Sequence, residues 1–309
     1  MIGKDKKKMA EAIKTDRFDL PDHLVGEILK QVTSDSAVAR LSAKKPMKFG
    51  NQHLISFTQA PRAEFVGEGD NKSASGAEFK NFKAVPRKSQ VTVRVTDEVD
   101  WADEDYQLQI LGTLVDAGAN ALARALDLGL FYRLNPLTGT ETDWTNYLNA
   151  TTNRVTATAS PSEDIEKAAQ LVLTKNDEGY DVNGLAFSKQ FANSLANEKD
   201  KQGRRLYPEL GLGVNATSFN GINTAVSSTV NPPEAAVKPG VNAIVGDFVN
   251  GAYWGIQRSL PVTVLRSGDP DGLGDLARKN HLALRMEVVY AWYVDVDRFA
   301  VIENAKTSK

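Results

Sequence analysis

The segment from residue 45 to residue 99 most limits what this 309-residue chain can fold into. Alternating apolar and polar residues, many of them β-branched, predict strands at residues 54–57 and 91–95. Between them, residues 62–90 are mostly polar or glycine. A two-armed ribbon of this length exposes its backbone edges and has no buried face, so alone it is marginal in water. We expect it to lie across a neighbouring copy of the chain; the alternative is a disordered surface loop of about 25 residues.

A long helix is predicted directly after this ribbon, over residues 100–133. Acidic residues fill its first turn, where carboxylates complement the helix dipole. About 30 residues correspond to a length of roughly 45 Å. Its apolar stripe consists of Leu108, Leu111, Leu114, Val115, Leu122, Leu126 and Leu130, and Asp127 is assigned to the opposite, polar face. Gly112, Gly118 and Gly129 weaken the helix locally, so we expect close packing at these positions.

Composition indicates an ordinary globular protein, with 41% apolar residues, 25% charged residues and a net charge of −2. This balance gives no overall basic field of the kind that nucleic-acid binders carry. Lys4, Lys6, Lys7 and Lys8 nevertheless form a basic N-terminal arm, which is either a solvated tail or an arm that meets acidic protein or nucleic acid. The absence of cysteine excludes disulfides and thiolate metal sites and fits a reducing compartment.

The rest of the chain predicts helices and strands that are segregated rather than alternating, which indicates an α+β fold. Helices are predicted at residues 20–32, 161–175 and 188–198, and strands at residues 154–158, 185–187, 243–248, 252–256, 261–265 and 282–302. Ser162 is the expected N-cap of the helix at 161–175, and a serine is also expected to cap the helix at 188–198.

No motif predicts a catalytic residue, a metal site or a cofactor. His23, His53 and His281 are the only histidines, and their spacing does not suit a shared metal. Residues 269–275 begin like a calcium loop but have Leu273 at the fifth position, so a plain turn is expected. The chain has no serine-nucleophile elbow and no phosphate-binding loop of the P-loop type.

Several short motifs follow one another in a specific order. They are Val-Ala-Arg-Leu at 38–41, Glu-Phe-Val-Gly-Glu-Gly at 64–69, Phe-Lys-Asn-Phe-Lys-Ala-Val-Pro-Arg-Lys at 79–88, Val-Gly-Asp-Phe at 245–248, Leu-Arg-Met-Glu-Val-Val at 284–289 and Val-Asp-Val-Asp-Arg-Phe-Ala-Val at 294–301. Over residues 20–304 this order resembles the major capsid protein family of tailed bacteriophages, which has the Hong Kong 97-like fold. The last motif reads Asp-Arg-Phe-Ala where that family has Asp-x-x-Ala-Phe.

The resemblance implies a division into a peripheral domain, an axial domain, an extended β-hairpin loop and an N-terminal arm. The implied boundaries are 1–19 for the arm, 20–45 for the first peripheral segment with its helix, 46–94 for the extended loop, 95–160 for the peripheral segment with the long spine helix, 161–259 for the axial domain, 260–304 for the closing peripheral strands and 305–309 for a tail.

The function that the resemblance implies is structural rather than enzymatic. Hexamers and pentamers of the chain would form an icosahedral shell around double-stranded DNA, so the chain would reside in the virion after assembly in the host cytoplasm. Because few residues precede the first predicted helix, either a separate scaffolding protein or a short self-guiding arm is expected to direct assembly. A portal is a further expected partner, and a cement protein is a candidate. The alternatives are an encapsulin-type nanocompartment shell, which shares this architecture, and a soluble enzyme that uses dispersed carboxylates.

The extended loop carries the residues that we expect to contact a neighbouring subunit. These are Phe65, Glu68, Lys72, Phe79, Lys80, Phe82, Lys83 and Arg87. Lys72, Lys80 and Lys83 also lie where some relatives form an isopeptide cross-link, although no matching asparagine or glutamate can be identified here. The lysines at positions 4, 6, 7 and 8 are the candidates for an internal arm that faces nucleic acid.

Overall fold

The computed structural model describes residues 36–59, 63–76, 78–98, 104–175 and 179–305. The helices are α1 (Ala37–Leu41), α2 (Glu104–Tyr132), α3 (Pro161–Leu173), α4 (Lys189–Ala196) and α5 (Phe248–Gly251). The strands are β1 (Gln52–Gln59), β2 (Glu78–Ala84), β3 (Arg87–Thr96), β4 (Arg154–Thr156), β5 (Gly184–Phe187), β6 (Ser218–Phe219), β7 (Ile222–Val226), β8 (Val241–Gly246), β9 (Ala252–Leu265), β10 (His281–Val294) and β11 (Phe299–Glu303). The N-terminal arm and the helix predicted at 20–32 lie outside the described residues.

These strands form three sheets. β1 and β2 form a two-stranded hairpin, β3, β10 and β9 form a three-stranded sheet, and the third sheet has the order β4, β11, β8, β5, β7, β6. The result is a mixed architecture of helices and strands, as predicted.

Contrary to the prediction, the two arms of the ribbon do not pair with each other. Residues 91–95 lie in β3, which pairs along its whole length with β10, from Arg87 opposite Tyr290 to Thr96 opposite His281. The strand at residues 54–57 pairs instead with β2, which begins only at Glu78. The physical reason is burial, because β10 offers a nearly continuous apolar strand on which β3 can lie, whereas β2 is mostly polar.

The long strand predicted at 282–302 is interrupted. β10 ends at Val294, a single 3-10 turn spans Val296–Arg298, and β11 then enters a different sheet, where it lies between β4 and β8. Conversely, the strands predicted at 252–256 and 261–265 are parts of one strand, β9.

The six-stranded sheet is buried on both faces, which explains its nearly continuous apolar strands. Neighbouring residues point to opposite sides of a strand. Ile244 and Val301 belong to a large core that includes α2 and β10, whereas Val245 and Ile302 belong to a second core under α3 and α4.

The start of α3 differs from the prediction. Pro161 occupies the first helical position, so the N-cap is Ser160, and its side chain makes no capping hydrogen bond. The predicted cap, Ser162, donates its hydroxyl to Glu198 instead, at 2.9 Å. The serine cap predicted for the next helix is confirmed, because Ser188 accepts a hydrogen bond from the Phe191 amide at the start of α4.

Glycines in α2 allow this helix to lie close to β10, as predicted for two of the three positions. A Cβ added at Gly118 would lie 2.0 Å from the Met286 Cε atom, and one at Gly129 would lie 2.8 Å from the Trp292 ring. The prediction is wrong for Gly112, around which there is no heavy atom within 4 Å of an added Cβ among the described residues.

This contrast predicts opposite effects of one substitution on the free energy of unfolding of the unassembled subunit. Gly112→Ala should stabilise it by about 0.5–1 kcal/mol, because alanine loses less backbone entropy in a helix. Gly129→Ala should destabilise it by roughly 1 kcal/mol, because the rigid Trp292 ring, which packs on Trp144, must move within a packed core. Urea unfolding of both variants measures the difference, and equal stabilisation would show that α2 does not lie as close to β10 as described.

Candidate functional site

The hairpin, defined as β1, β2 and the residues between them, lies in the segment that is predicted to contact a neighbouring copy of the chain. Its register runs from Gln52 opposite Ala84 to Gln59 opposite Glu78. We call residues 63–76 the tip; every residue of the tip is exposed, and Phe65 exposes its whole side chain. Val66 beside it is also exposed, and adjoining exposed apolar side chains are a feature of interaction sites.

Alternation of side chains gives the hairpin two different faces. Phe79 and Lys83 lie on one face of β2, together with Ile55 of β1, which is directly opposite Asn81. We call this the outer face; Phe79 and Ile55 remain 63% and 65% exposed there. The other face carries Lys80, Phe82 and Ala84, and we call it the inner face.

An aromatic stack attaches the inner face to the rest of the same chain. The Phe82 ring stacks on Tyr293 of β10 with a centroid distance of 5.1 Å, and Tyr293 stacks in turn on Tyr253 of β9 at 4.5 Å. The Lys45 Nζ atom lies 3.3 Å from the centroid of the Tyr253 ring, as in a cation–π contact. The base of the hairpin is therefore held against the three-stranded sheet.

An ion pair adds to this attachment. The Lys80 Nζ atom lies 2.6 Å from the Asp297 Oδ2 atom, and the Lys175 Nζ atom lies 3.8 Å from the other carboxylate oxygen of Asp297. The hydrogen bond to Asp297 raises the pKa of Lys80. Directly after the hairpin, the Arg87 guanidinium lies over the Trp144 ring at 4.3 Å, and burial lowers the pKa of Arg87.

The tip is organised by one carboxylate. Glu64 accepts hydrogen bonds from the Ser73 amide and hydroxyl, at 2.5 and 2.7 Å, and these bonds lower the pKa of Glu64. This contact joins the two sides of the tip, because Glu64 and Ser73 are nine residues apart in the sequence. Glu68 and Lys72 lie within the tip and are exposed.

The carboxylate of Asp127, predicted to lie on the polar face of α2, is instead buried and holds the first described residues of the chain. Asp127 of α2 is fully buried and accepts four hydrogen bonds, from the Ser36 hydroxyl, the amides of Ala37 and Val38, and the Thr229 hydroxyl. Burial raises the pKa of Asp127, and these hydrogen bonds oppose that shift. α1 and its N-cap residue, Ser36, are thus attached directly to α2.

The loop at residues 269–275, which begins like a calcium loop, binds the side chain of Arg94. The Arg94 guanidinium bonds to the Asp271 carboxylate and to the Gly274 carbonyl oxygen, and the bond from Arg94 lowers the pKa of Asp271. In the described ranges there is no cluster of three His, Asp or Glu side chains that could hold a metal ion. Among the helices of the described residues, none is long and apolar enough to span a membrane.

Comparison with known proteins identifies the family. Residues 18–297 match the Phage capsid family. This chain belongs to that family. A solved structure from Mycobacterium phage Ogopogo is 40% identical, covers 96% of this chain and 100% of its own, and has a TM-score of 0.77. A structure from Gordonia phage Cozz is 27% identical, covers 88% and 87% of the two chains, and has a TM-score of 0.74.

This chain is also similar to a known capsid protein sequence. The protein described as probable major capsid protein gp17 of Mycobacterium phage D29 is 24% identical over 282 residues, or 87% of this chain and 85% of that protein. The prediction of a phage capsid protein is confirmed by these matches. The chain is a major capsid protein of a tailed phage, and its place is in the virion.

The eight residues predicted to contact a neighbouring capsid subunit divide into two groups. Phe65, Glu68, Lys72, Phe79 and Lys83 lie exposed on the tip or the outer face. Lys80, Phe82 and Arg87 instead contact Asp297, Tyr293 and Trp144 of their own chain. Their role between subunits therefore stays a prediction, as does that of the N-terminal lysines, which lie outside the described residues.

Proposed function

We propose that this capsid protein assembles through its hairpin into hexamers and pentamers, which form an icosahedral shell around the double-stranded DNA genome. The observation that carries the proposal is the two-faced hairpin, because its inner face is already attached to its own subunit while its outer face and tip expose apolar side chains. A shell repeats each contact in many copies, so modest interfaces become collectively stable.

Within this proposal the fold is of the Hong Kong 97 type. The hairpin lies within the extended loop at 46–94. β3, most of which is in the same range, belongs instead to the three-stranded sheet, and α2 is the spine helix within 95–160. The six-stranded sheet draws strands from 161–259 but also includes β4 and β11, so it joins the proposed axial and peripheral segments through hydrogen bonds.

The partition of the hairpin suggests which residues act between subunits. We assign the contact with the neighbouring copy to Phe65, Glu68, Lys72, Phe79 and Lys83, because their side chains are exposed. Each large apolar side chain that becomes fully buried contributes about 1.5–3 kcal/mol. Lys80 and Phe82 would act indirectly, by fixing the orientation in which the outer face is presented.

The remaining partners follow from the family and from charge. A separate scaffolding protein, a portal and a cement protein are proposed partners, and the basic arm with Lys4, Lys6, Lys7 and Lys8 is proposed to face the packaged DNA. Assembly is proposed to occur in the host cytoplasm. We propose no catalytic activity and no cofactor, in line with the structural role of the family.

Electron microscopy tests the proposal. The chain produced alone should form rings or closed shells, and mass spectrometry should find it as the most abundant protein of DNA-filled phage heads. Shells filled with protein cargo would indicate the nanocompartment alternative instead. A chain that stays a stable monomer at high concentration and is absent from phage heads would contradict a shell function altogether.

A further inference from the structure

The 3-10 turn Val296–Arg298 lies where three parts of the subunit meet. It connects β10 of the three-stranded sheet to β11 of the six-stranded sheet. The turn also lies very close to β8, because a Cβ added at Gly246 would be 2.3 Å from the Arg298 carbonyl oxygen. Any change in this turn therefore acts on both sheets.

Arg298 connects the ends of the two sheets. Its guanidinium lies 2.9 Å from Asp247, directly after β8, and 3.2 Å from Asp295, directly after β10. Both carboxylates are almost completely buried, and the guanidinium also lies over the Tyr180 ring at 4.3 Å. Burial favours the neutral form, but the bonds to Asp247 and Asp295 outweigh it, so the pKa of Arg298 is raised.

The neighbouring residue, Asp297, connects the same turn to the hairpin. The Oδ2 atom of its carboxylate lies 2.6 Å from the Nζ atom of Lys80 in β2. The Oδ1 atom lies 3.8 Å from the Nζ atom of Lys175, just beyond α3. We call the six charged side chains Lys80, Lys175, Asp247, Asp295, Asp297 and Arg298 the turn network. The network contains three positive and three negative charges, so each side chain has partners of opposite sign.

We propose that the turn network couples the orientation of the hairpin to the junction between the two sheets. This inference rests on the proposed contact between the hairpin and a neighbouring subunit. When the neighbour rotates the hairpin, Lys80 leaves Asp297, and the turn that holds β8 and β10 together loses one of its fixed contacts. Contact with a neighbouring subunit thereby loosens the junction between the two sheets inside the subunit.

The Lys80–Asp297 ion pair is weak enough for a neighbouring subunit to break it. The two side chains are 48% and 29% exposed, and an exposed ion pair of this kind shifts an equilibrium by at most about fivefold. A neighbour can overcome a contact of that size by burying a single apolar side chain. The buried contacts of Arg298 are stronger, so the junction loosens without separating.

Amide hydrogen exchange of the full-length chain, kept unassembled by dilution, tests the coupling. Three amides report on the junction: Asp247, which donates to the Arg298 carbonyl oxygen, Asp295, which donates to Gly251, and Arg298, which donates to Asp295. Lys80→Met should speed their exchange at least threefold although Lys80 touches none of them. Lys83→Met, three residues further along β2 and on the outer face, should leave the same rates unchanged.

A measurement in the opposite direction uses the reciprocity of coupled equilibria. Because the chain lacks cysteine, Asn81→Cys and Glu163→Cys allow spin labels on the hairpin and on α3. Arg298→Lys should broaden the distance distribution between them in a variant whose thermal unfolding remains cooperative. Unchanged exchange in Lys80→Met together with an unchanged distribution in Arg298→Lys would overturn the coupling. Both readouts use unassembled subunits, whereas a wild-type chain that stays a stable monomer and is absent from phage heads would overturn the proposed function instead.

Discussion

Replacing residues 60–77 with the dipeptide Asn-Gly should give a folded subunit that no longer forms closed shells. Gln59 and Glu78 are directly paired at the end of the β1–β2 ladder, so a two-residue turn can connect them. Asn-Gly has the backbone preference that a two-residue hairpin requires. The replacement removes the exposed tip but keeps the aromatic stack and the Lys80–Asp297 ion pair, because these contacts lie nearer the base of the hairpin.

We expect urea unfolding of this variant to change by less than about 1 kcal/mol, because exposed residues contribute little to stability. Electron microscopy should show subunits or open rings where the wild-type chain gives shells. Phe79→Ser on the outer face should also reduce the yield of shells, and the matched variant Phe79→Leu should retain most of it. Closed shells of normal size from the variant without the tip would contradict a role of the hairpin in assembly.

Replacing Asp127 with asparagine should lower the free energy of unfolding by about 3 kcal/mol. The carboxylate accepts four hydrogen bonds in a fully buried position. An amide of nearly the same size keeps one accepting oxygen, but in either orientation its NH2 group faces one backbone amide, that of Ala37 or Val38, which cannot accept a hydrogen bond. Buried polar groups that lose their partners cost about 1–3 kcal/mol each.

Equilibrium urea unfolding of the unassembled subunit measures this loss. Asp116→Asn is the matched control, because Asp116 lies on the same helix and is exposed. It should change the stability by less than about 0.5 kcal/mol. Asp127→Asn should also speed the exchange of the Ala37 and Val38 amides, which bond to the carboxylate. A loss below about 1 kcal/mol would show that Asp127 does not hold α1 in place.

The sequence predicts individual elements of this subunit better than it predicts their partners. The period of the apolar stripe is a local property, so α2 is found where the sequence predicts it within the described residues. Strand alternation at residues 91–95 is equally local, but it does not state which strand lies alongside. The partner, β10, is almost 200 residues away, and the competing partner at 54–57 is much closer in sequence.

The burial of Asp127 is a second feature that the sequence does not predict. Its charge assigns it to the polar side of α2, because an isolated buried carboxylate is very costly. The structure removes most of that cost with donors from Ser36, Ala37, Val38 and Thr229, which lie about 90 to 100 residues away. The only local signal was the position of Asp127 between Leu126 and Leu128, inside a densely apolar stretch.

The place of β11 in its sheet has a consequence for the rate of folding. β11 is inserted between β4 and β8, with Val301 opposite both Arg154 and Ile244. It also follows every other strand of that sheet along the chain. Pairing of β11 with β4 therefore closes a loop of roughly 150 residues, and such non-local pairing makes folding slow. Until β11 is in place, the facing edges of β4 and β8 remain unpaired and can pair with strands of other chains.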